Sequence, residues 1–231
     1  MSNANSFLKR RAVDIVFCID GTGSMRPCIE SVKRNAKRFY QDLEAKIENM
    51  GGHMDMLRIK VIIFRDYKSD GAEAMVESRF FELPDESQEF SAYMDSVKAH
   101  GGCGEDACGL EALYRAMKSD FVTGQNDRQL IVLFADTTAI PMQKRARYQY
   151  YPADMVDEEG LLNTWMCQQS HPSKLRDRNK RLVMFAPAES IYSEMSASYT
   201  RSVHIPIEIH NGMDEISFEE VMKIIAASAS T

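Results

Sequence analysis

Three oxygen-bearing side chains, Asp20, Thr22 and Ser24, alternate with Gly21 and Gly23 in the string FCIDGTGSM at 17–25. On a turn leaving an apolar run, this i, i+2, i+4 spacing lets alternate side chains converge, and the glycines give the backbone the freedom to do so. A carboxylate and two hydroxyls are hard donors of the kind that Mg²⁺ or Mn²⁺ takes. A second carboxylate, Asp136, follows another apolar run in LFADTT at 133–138. The same residues have a plainer use, because Asp and Ser are good helix N-caps and a helical pattern begins a few residues on. The turn alone leaves both uses open.

The elements that must position these residues are legible as alternating runs. Segments 13–19, 57–64, 130–135 and 182–186 are continuous apolar stretches rich in β-branched residues, the pattern of strands buried on both faces. A weaker strand is predicted at 79–83, and a last one at 203–209, where Pro206 suits an edge position. Between them, Val32, Ala36, Phe39, Leu43 and Ile47 step by three or four along one helix face, and Gly51-Gly52 ends that helix. Further helices are predicted from Pro84-Asp85 through Val97, from about Asp106 to Lys118, and over 214–227. Strands alternating with helices predict a doubly wound α/β domain at 12–228, with a mainly parallel six-stranded sheet and helices on both faces. In such sheets ligands gather at the carboxyl ends of the strands. Asp20, the pair Arg65-Asp66, and Asp136-Thr137-Thr138 all fall there, and Arg65-Asp66 reads as a structural ion pair or a ligand contact.

The chain of 231 residues is long enough for a substantial core, and its net charge of −6 gives no reason to expect nucleic acid or an anionic membrane. No apolar run approaches the roughly 18 residues of a spanning helix. The first residues are polar, then basic, without the apolar stretch of a signal peptide. The odd count of 5 cysteines, scattered without repeat, reads as reduced thiols in a cytoplasmic protein. Cys18 lies within a strand and reads as core. Cys28, Cys103 and Cys108 match no compact zinc motif, with His100 the nearest imidazole.

The segment 141–180 is too long for a connection between strands. It carries Tyr148, Tyr150, Tyr151, Trp165 and two basic clusters. A solvated insertion with a helix near 158–167 is one reading, and a partner-binding surface anchored by its aromatics is the other.

Asp20-x-Thr22-x-Ser24 after an apolar strand, GGCGED at 101–106 and LFADTT at 133–138 occur in that order. Together they resemble the metal-ion-dependent adhesion site of the von Willebrand factor type A superfamily, and the resemblance covers roughly 12–228. DGTGSM and FRDY at 64–67 look most like bacterial and alpha-kinase-associated members, some encoded beside kinases and phosphatases in stress-response or tellurium-resistance clusters. The resemblance implies a protein-binding adaptor rather than an enzyme. Its Mg²⁺ or Mn²⁺ would be held by Asp20, Thr22, Ser24 and Asp136 and completed by a carboxylate from a partner, a kinase or phosphatase among the classes that kinship suggests. The chain departs from the family at Cys103, where the middle ligand usually stands, so that Glu105, Asp106 or water would take that place. The alternative is a Mg²⁺-dependent phosphohydrolase using Asp20 and Asp136. Asp-Gly-Thr also resembles half of the haloacid-dehalogenase string, but Cys18 stands where that family's nucleophilic aspartate belongs. The Asp-Thr-Gly-Ser of aspartic proteases is interrupted by Gly21 and belongs to an all-β fold. No phosphate-cradling Gly-x-x-x-x-Gly-Lys loop of a nucleotide-binding enzyme occurs.

Overall fold

A computed structural model describes residues 11–101, 107–142, 148–208 and 216–230. Strand β1 (Ala12–Asp20) is buried at every position. It lies between β2 (Met56–Phe64) and β5 (Arg128–Phe134), parallel to both. Two further parallel strands, β6 (Lys180–Pro187) and β7 (Ser202–Ile207), extend the sheet beyond β5. On the far side of β2 run two short antiparallel strands, β3 (Met75–Glu77) and β4 (Phe81–Leu83). The order is β3-β2-β1-β5-β6-β7, with β4 also on β2.

The six expected strands thus become seven. The predicted strand at 79–83 contracts to β4, and β3 has only three residues, partly or fully exposed, too few to register as an apolar run. Between them Ser78 keeps the chain on β2, donating its N–H to the Val61 carbonyl at 2.9 Å and accepting the Val61 N–H on Oγ at 2.9 Å. β7 is an edge strand with Pro206 in it, as its proline implies.

Helices cover both faces. On one, α1 (Arg26–Asn35) continues through a 3₁₀ turn (Ala36–Arg38) into α2 (Phe39–Asn49), so the predicted helix tightens into a 3₁₀ turn in its middle. Ile29, Ala36, Phe39, Leu43 and Ile47 are buried and Val32 partly so. Gly51, at φ 75°, reverses the chain so that the Gly52 N–H reaches the Ile47 carbonyl at 2.9 Å, a left-handed stop that favours glycine. With α3 (Ser87–Ser96) and α7 (Phe218–Ser230), these helices pack on Val13, Ile15, Phe17, Leu130 and Val132. On the other face, α4 (Gly109–Met117), α5 (Glu158–Trp165) and α6 (Ile191–Ser198) pack on Val16, Cys18, Ile62, Ile131 and Met184. Helix α6 carries no strong helical period in sequence, and its short stretch of serines, alanine and tyrosine hides it.

The insertion is built around a core of its own, and this corrects the reading of Trp165 as a surface anchor. Trp165 is fully buried, its indole N–H donates to the Thr200 carbonyl at 2.9 Å, and its ring stacks on Tyr199. Lys180, also fully buried, places its ammonium over that ring, 4.8 Å from the centroid, and pairs with Asp177 at 2.9 Å. Tyr151 turns inward as well, packing on Tyr67 and donating to Glu111 at 3.1 Å. Only Tyr150 of the aromatics in this segment stands half exposed. Among the described residues no helix is long and apolar enough to cross a membrane.

Candidate metal centre

The chain leaves β1 for β2 on one side and later enters β5 on the other, so the strand order reverses between β1 and β5. A crevice opens at the carboxyl ends of two strands that diverge in this way. The register pairs Ile19 with Phe134, which sets Asp20 beside Ala135 and Asp136 one residue farther along the neighbouring strand. Both carboxylates are fully buried. Strand pairing alone therefore brings together two acids far apart in sequence.

The turn after Asp20 is held from within and from outside. Asp20 Oδ1 accepts the Thr22 N–H at 2.8 Å, and the Thr22 and Ser24 hydroxyls lie 3.3 Å apart. The N-cap of α1 is Met25, without a side-chain cap, and the 3₁₀ turn at Gly23–Met25 likewise has none. The capping use of Asp20 and Ser24 is thus not realised. Gly21 donates its N–H to the Phe64 carbonyl at 2.8 Å and accepts the His100 N–H at 3.0 Å. Its position is crowded: a Cβ there would lie 2.6 Å from Ile63 Cγ2 and 2.9 Å from Arg65 Cζ.

Arg65 is the staple of this edge. Its Nε donates to the carbonyls of Gly21 at 3.2 Å and His100 at 3.1 Å, and its terminal nitrogens donate to Glu73 and Lys98 carbonyls, each at 2.9 Å. The expected Arg65–Asp66 ion pair does not form. Asp66 instead accepts the Lys68 N–H at 3.1 Å and the Ser69 hydroxyl at 3.3 Å, closing its own turn. Nothing in a sequence string announces that one guanidinium will bind backbone oxygens of three loops.

Glu105 and Asp106, expected as alternatives for the middle ligand, lie outside the described residues, as does Cys103. The residues flanking that stretch are fixed at the crevice. His100 is tied to Gly21, the Ala107 N–H reaches the Thr138 carbonyl at 3.4 Å, and the Cys108 N–H reaches the Arg65 carbonyl at 2.8 Å. Cys108 accepts the Tyr67 N–H on its sulfur, and Cys18 donates to the Ala112 carbonyl at 3.6 Å. Among the described residues no three of His, Cys, Asp and Glu gather into a metal-holding group.

The electrostatics single out Asp20. Burial, helped by the nearby charge of Asp136, pushes its carboxyl up to about 7, against the lowering pull of the Thr22 hydrogen bonds and of Arg65. Its Oδ2 is buried and makes no hydrogen bond among the described residues. Beside Asp136, Thr137 likewise buries a hydroxyl with no such partner. Cys28, on the first turn of α1, is pushed up to about 12 by burial and then by the charges of Asp136 and Asp20. A buried, unbonded carboxylate oxygen is costly unless something compensates it. Asp20, Asp136, Thr22 and Ser24 form an all-oxygen set, and it fits a hard divalent cation rather than zinc. Thr137 is the further hydroxyl whose orphaned oxygen sequence reasoning did not weigh.

The fold is a doubly wound α/β domain with two buried acids at the point where its strand order reverses. No family model matches the chain, and no curated protein matches it. Solved structures do. The chain is similar to the pilus adhesin SpaC from Lactobacillus rhamnosus GG, with a TM-score of 0.57 at 11% identity, over 96% of this chain and 31% of the adhesin. A structure of that adhesin in an open conformation gives 0.52 at 11%, over 96% and 30%. Proximal thread matrix protein 1 from the mussel byssus gives 0.47 at 13%, over 96% and 47%. At such identity the likeness to the adhesin speaks for the fold alone, and the chain spans 31% of that protein's length.

Proposed function

We propose that the chain is a von Willebrand factor type A-like module that binds Mg²⁺ or Mn²⁺ and, through it, a carboxylate of a protein partner. The observation that carries the reading is the buried Oδ2 of Asp20, without a hydrogen bond among the described residues, beside Asp136 and the paired hydroxyls of Thr22 and Ser24. When bound, the cation supplies positive charge and coordination positions open to an outside oxygen. Asp20 anchors the set, and its hydrogen bond from Thr22 fixes the direction of its other oxygen. Thr22 and Ser24 present hydroxyls from the same turn, with Asp136 acting directly or through water. Glu105 or Asp106 is proposed for the remaining position. Arg65 keeps the Gly21 turn and the His100 segment in fixed relation. It is a positioning residue.

The partner is a protein, with a kinase or phosphatase as the suggested class, and the setting is a cytoplasmic, bacterial stress-response or signalling system. The competing phosphohydrolase needs a nucleophile or base beside the cation, and no activated one accompanies Asp20 among the described residues. The deciding experiment incubates purified wild type and Asp20→Ala with Mg²⁺ and a panel of phosphate esters and nucleotides. It is paired with a search for proteins that co-purify in Mg²⁺ and are lost in chelator. Silence in the first arm and Mg²⁺-dependent capture lost in Thr22→Ala support the adaptor. Turnover by wild type that Asp20→Ala abolishes contradicts it.

A further inference from the structure

At the opposite edge of the sheet, the amino ends of four neighbouring strands each bring an arginine. Arg11 precedes β1, Arg128 opens β5, Arg181 is the second residue of β6, and Arg201 directly precedes β7. The registers align them, since Val13 pairs with Arg128 and Leu130 with Arg181. The Arg201 carbonyl accepts the Leu182 N–H at 3.1 Å, which seats Arg201 beside Arg181. Side chains alternate along a strand, so Arg11, Arg128 and Arg181 share the face of Val13, Leu130 and Val183, beneath α7. Arg11 confirms this placement by donating from its terminal nitrogen to the carbonyl of Ala229 in the last turn of α7.

Like charges so placed repel, and the nearby acids offset this only in part, Asp127 acting favourably on Arg128 and Asp177 on Arg201 while each is also engaged elsewhere. Asp127 accepts the Ala12 N–H at 3.0 Å and the Gly124 N–H, and Asp177 pairs with Lys180 at 2.9 Å. No ion pair among the described residues joins Arg11, Arg181 or Arg201 to a carboxylate. The Nε of Arg11 is buried without a hydrogen bond among those residues. Arg201 sits at φ 59°, a left-handed conformation that costs a non-glycine residue energy. After burial, the neighbours Arg11, Arg181 and Arg201 lower the Arg128 pKa further, and Arg201 does the same to Arg181. The carboxyl end of α7 offers only about half a negative charge in return.

We propose that this arginine row is a binding site for clustered phosphate groups. A guanidinium fork meets two phosphate oxygens at once, and three strand spacings stretch the row over roughly 14 Å. Such a span exceeds one orthophosphate and suits a condensed phosphate or a multiply phosphorylated headgroup. The net charge of −6 over the whole chain leaves this a local feature rather than a nucleic-acid track. The site lies across the sheet from Asp20 and does not depend on the cation there.

The test uses the full chain with chelator present, so that phosphate cannot be held through the Asp20 crevice. Tripolyphosphate and orthophosphate are titrated by calorimetry, and sedimentation is followed with vesicles containing phosphatidylinositol bisphosphate. The expected result is saturable tripolyphosphate binding, much tighter than orthophosphate and weakening steeply with salt. The double variant Arg181→Gln/Arg201→Gln weakens it by about tenfold or more. Vesicle retention lost in the same variant identifies a lipid headgroup as the source, and tripolyphosphate binding without retention identifies a soluble one. Circular dichroism and Asp20→Ala serve as controls, the latter expected to bind phosphate like wild type. Binding to neither ligand, or binding that the folded double variant retains, overturns the proposal.

Discussion

Arg65 Nε donates to the Gly21 carbonyl at 3.2 Å, and its guanidinium carbon lies only 2.9 Å from where a side chain on Gly21 would begin. The turn after Asp20 and the second strand end are therefore fitted to each other without spare room. Gly21→Ala should push Arg65 and Ile63 aside and lower stability by about 1–3 kcal/mol, the usual cost of overpacking. Mg²⁺ affinity should fall with it, because the turn loses its fixed seat. Thermal melts and calorimetry on the same preparation check both effects.

The elevated pKa of Asp20 sets a pH dependence. Folding raises this carboxyl from its ordinary 3.8 to about 7, so between those values the folded chain holds a proton that the unfolded chain has released. The cation-free protein should thus lose stability as pH climbs through this window, with no further loss from this group above about 7. Cation binding requires the ionised form, so Mg²⁺ affinity should rise over the same window and then level off. Melting temperatures with and without Mg²⁺ should separate progressively as pH rises. A constant separation would show that Asp20 does not titrate on binding.

Trp165 belongs to the fold. Trp165→Ala removes a fully buried ring that stacks on Tyr199 and lies under Lys180, and should cost about 3–5 kcal/mol. The folded fraction should still bind Mg²⁺ like wild type. Denaturant titration followed by calorimetry below the transition measures both. Little loss of stability would return Trp165 to the surface.

The strands that build the sheet were legible because their residues are buried on both faces, leaving continuous runs such as those around Val16 and Val132. The edge was not: β3 pairs over only three residues, and its place is set by Ser78 on Val61 rather than by a pattern of its own. The acids of the crevice were legible as types at strand ends, and the register turns Asp20 and Asp136 into neighbours. What held them was hidden. Arg65 works through backbone oxygens of Gly21, Glu73, Lys98 and His100, contacts that depend on tertiary folding and leave no spacing to read. Trp165 misled for a related reason, since an aromatic in a long connection reads as exposed until Lys180 and Tyr199 are seen to enclose it.

The central claim is that Asp20 and its oxygen neighbours hold one divalent cation, and calorimetric titration of Mg²⁺ and Mn²⁺ into the purified chain tests it most directly. The account predicts a single site for either ion, abolished by Asp20→Ala in a protein whose circular dichroism is unchanged. Binding that survives Asp20→Ala would contradict it, as would tight Zn²⁺ binding that persists in that variant and disappears in Cys103→Ser.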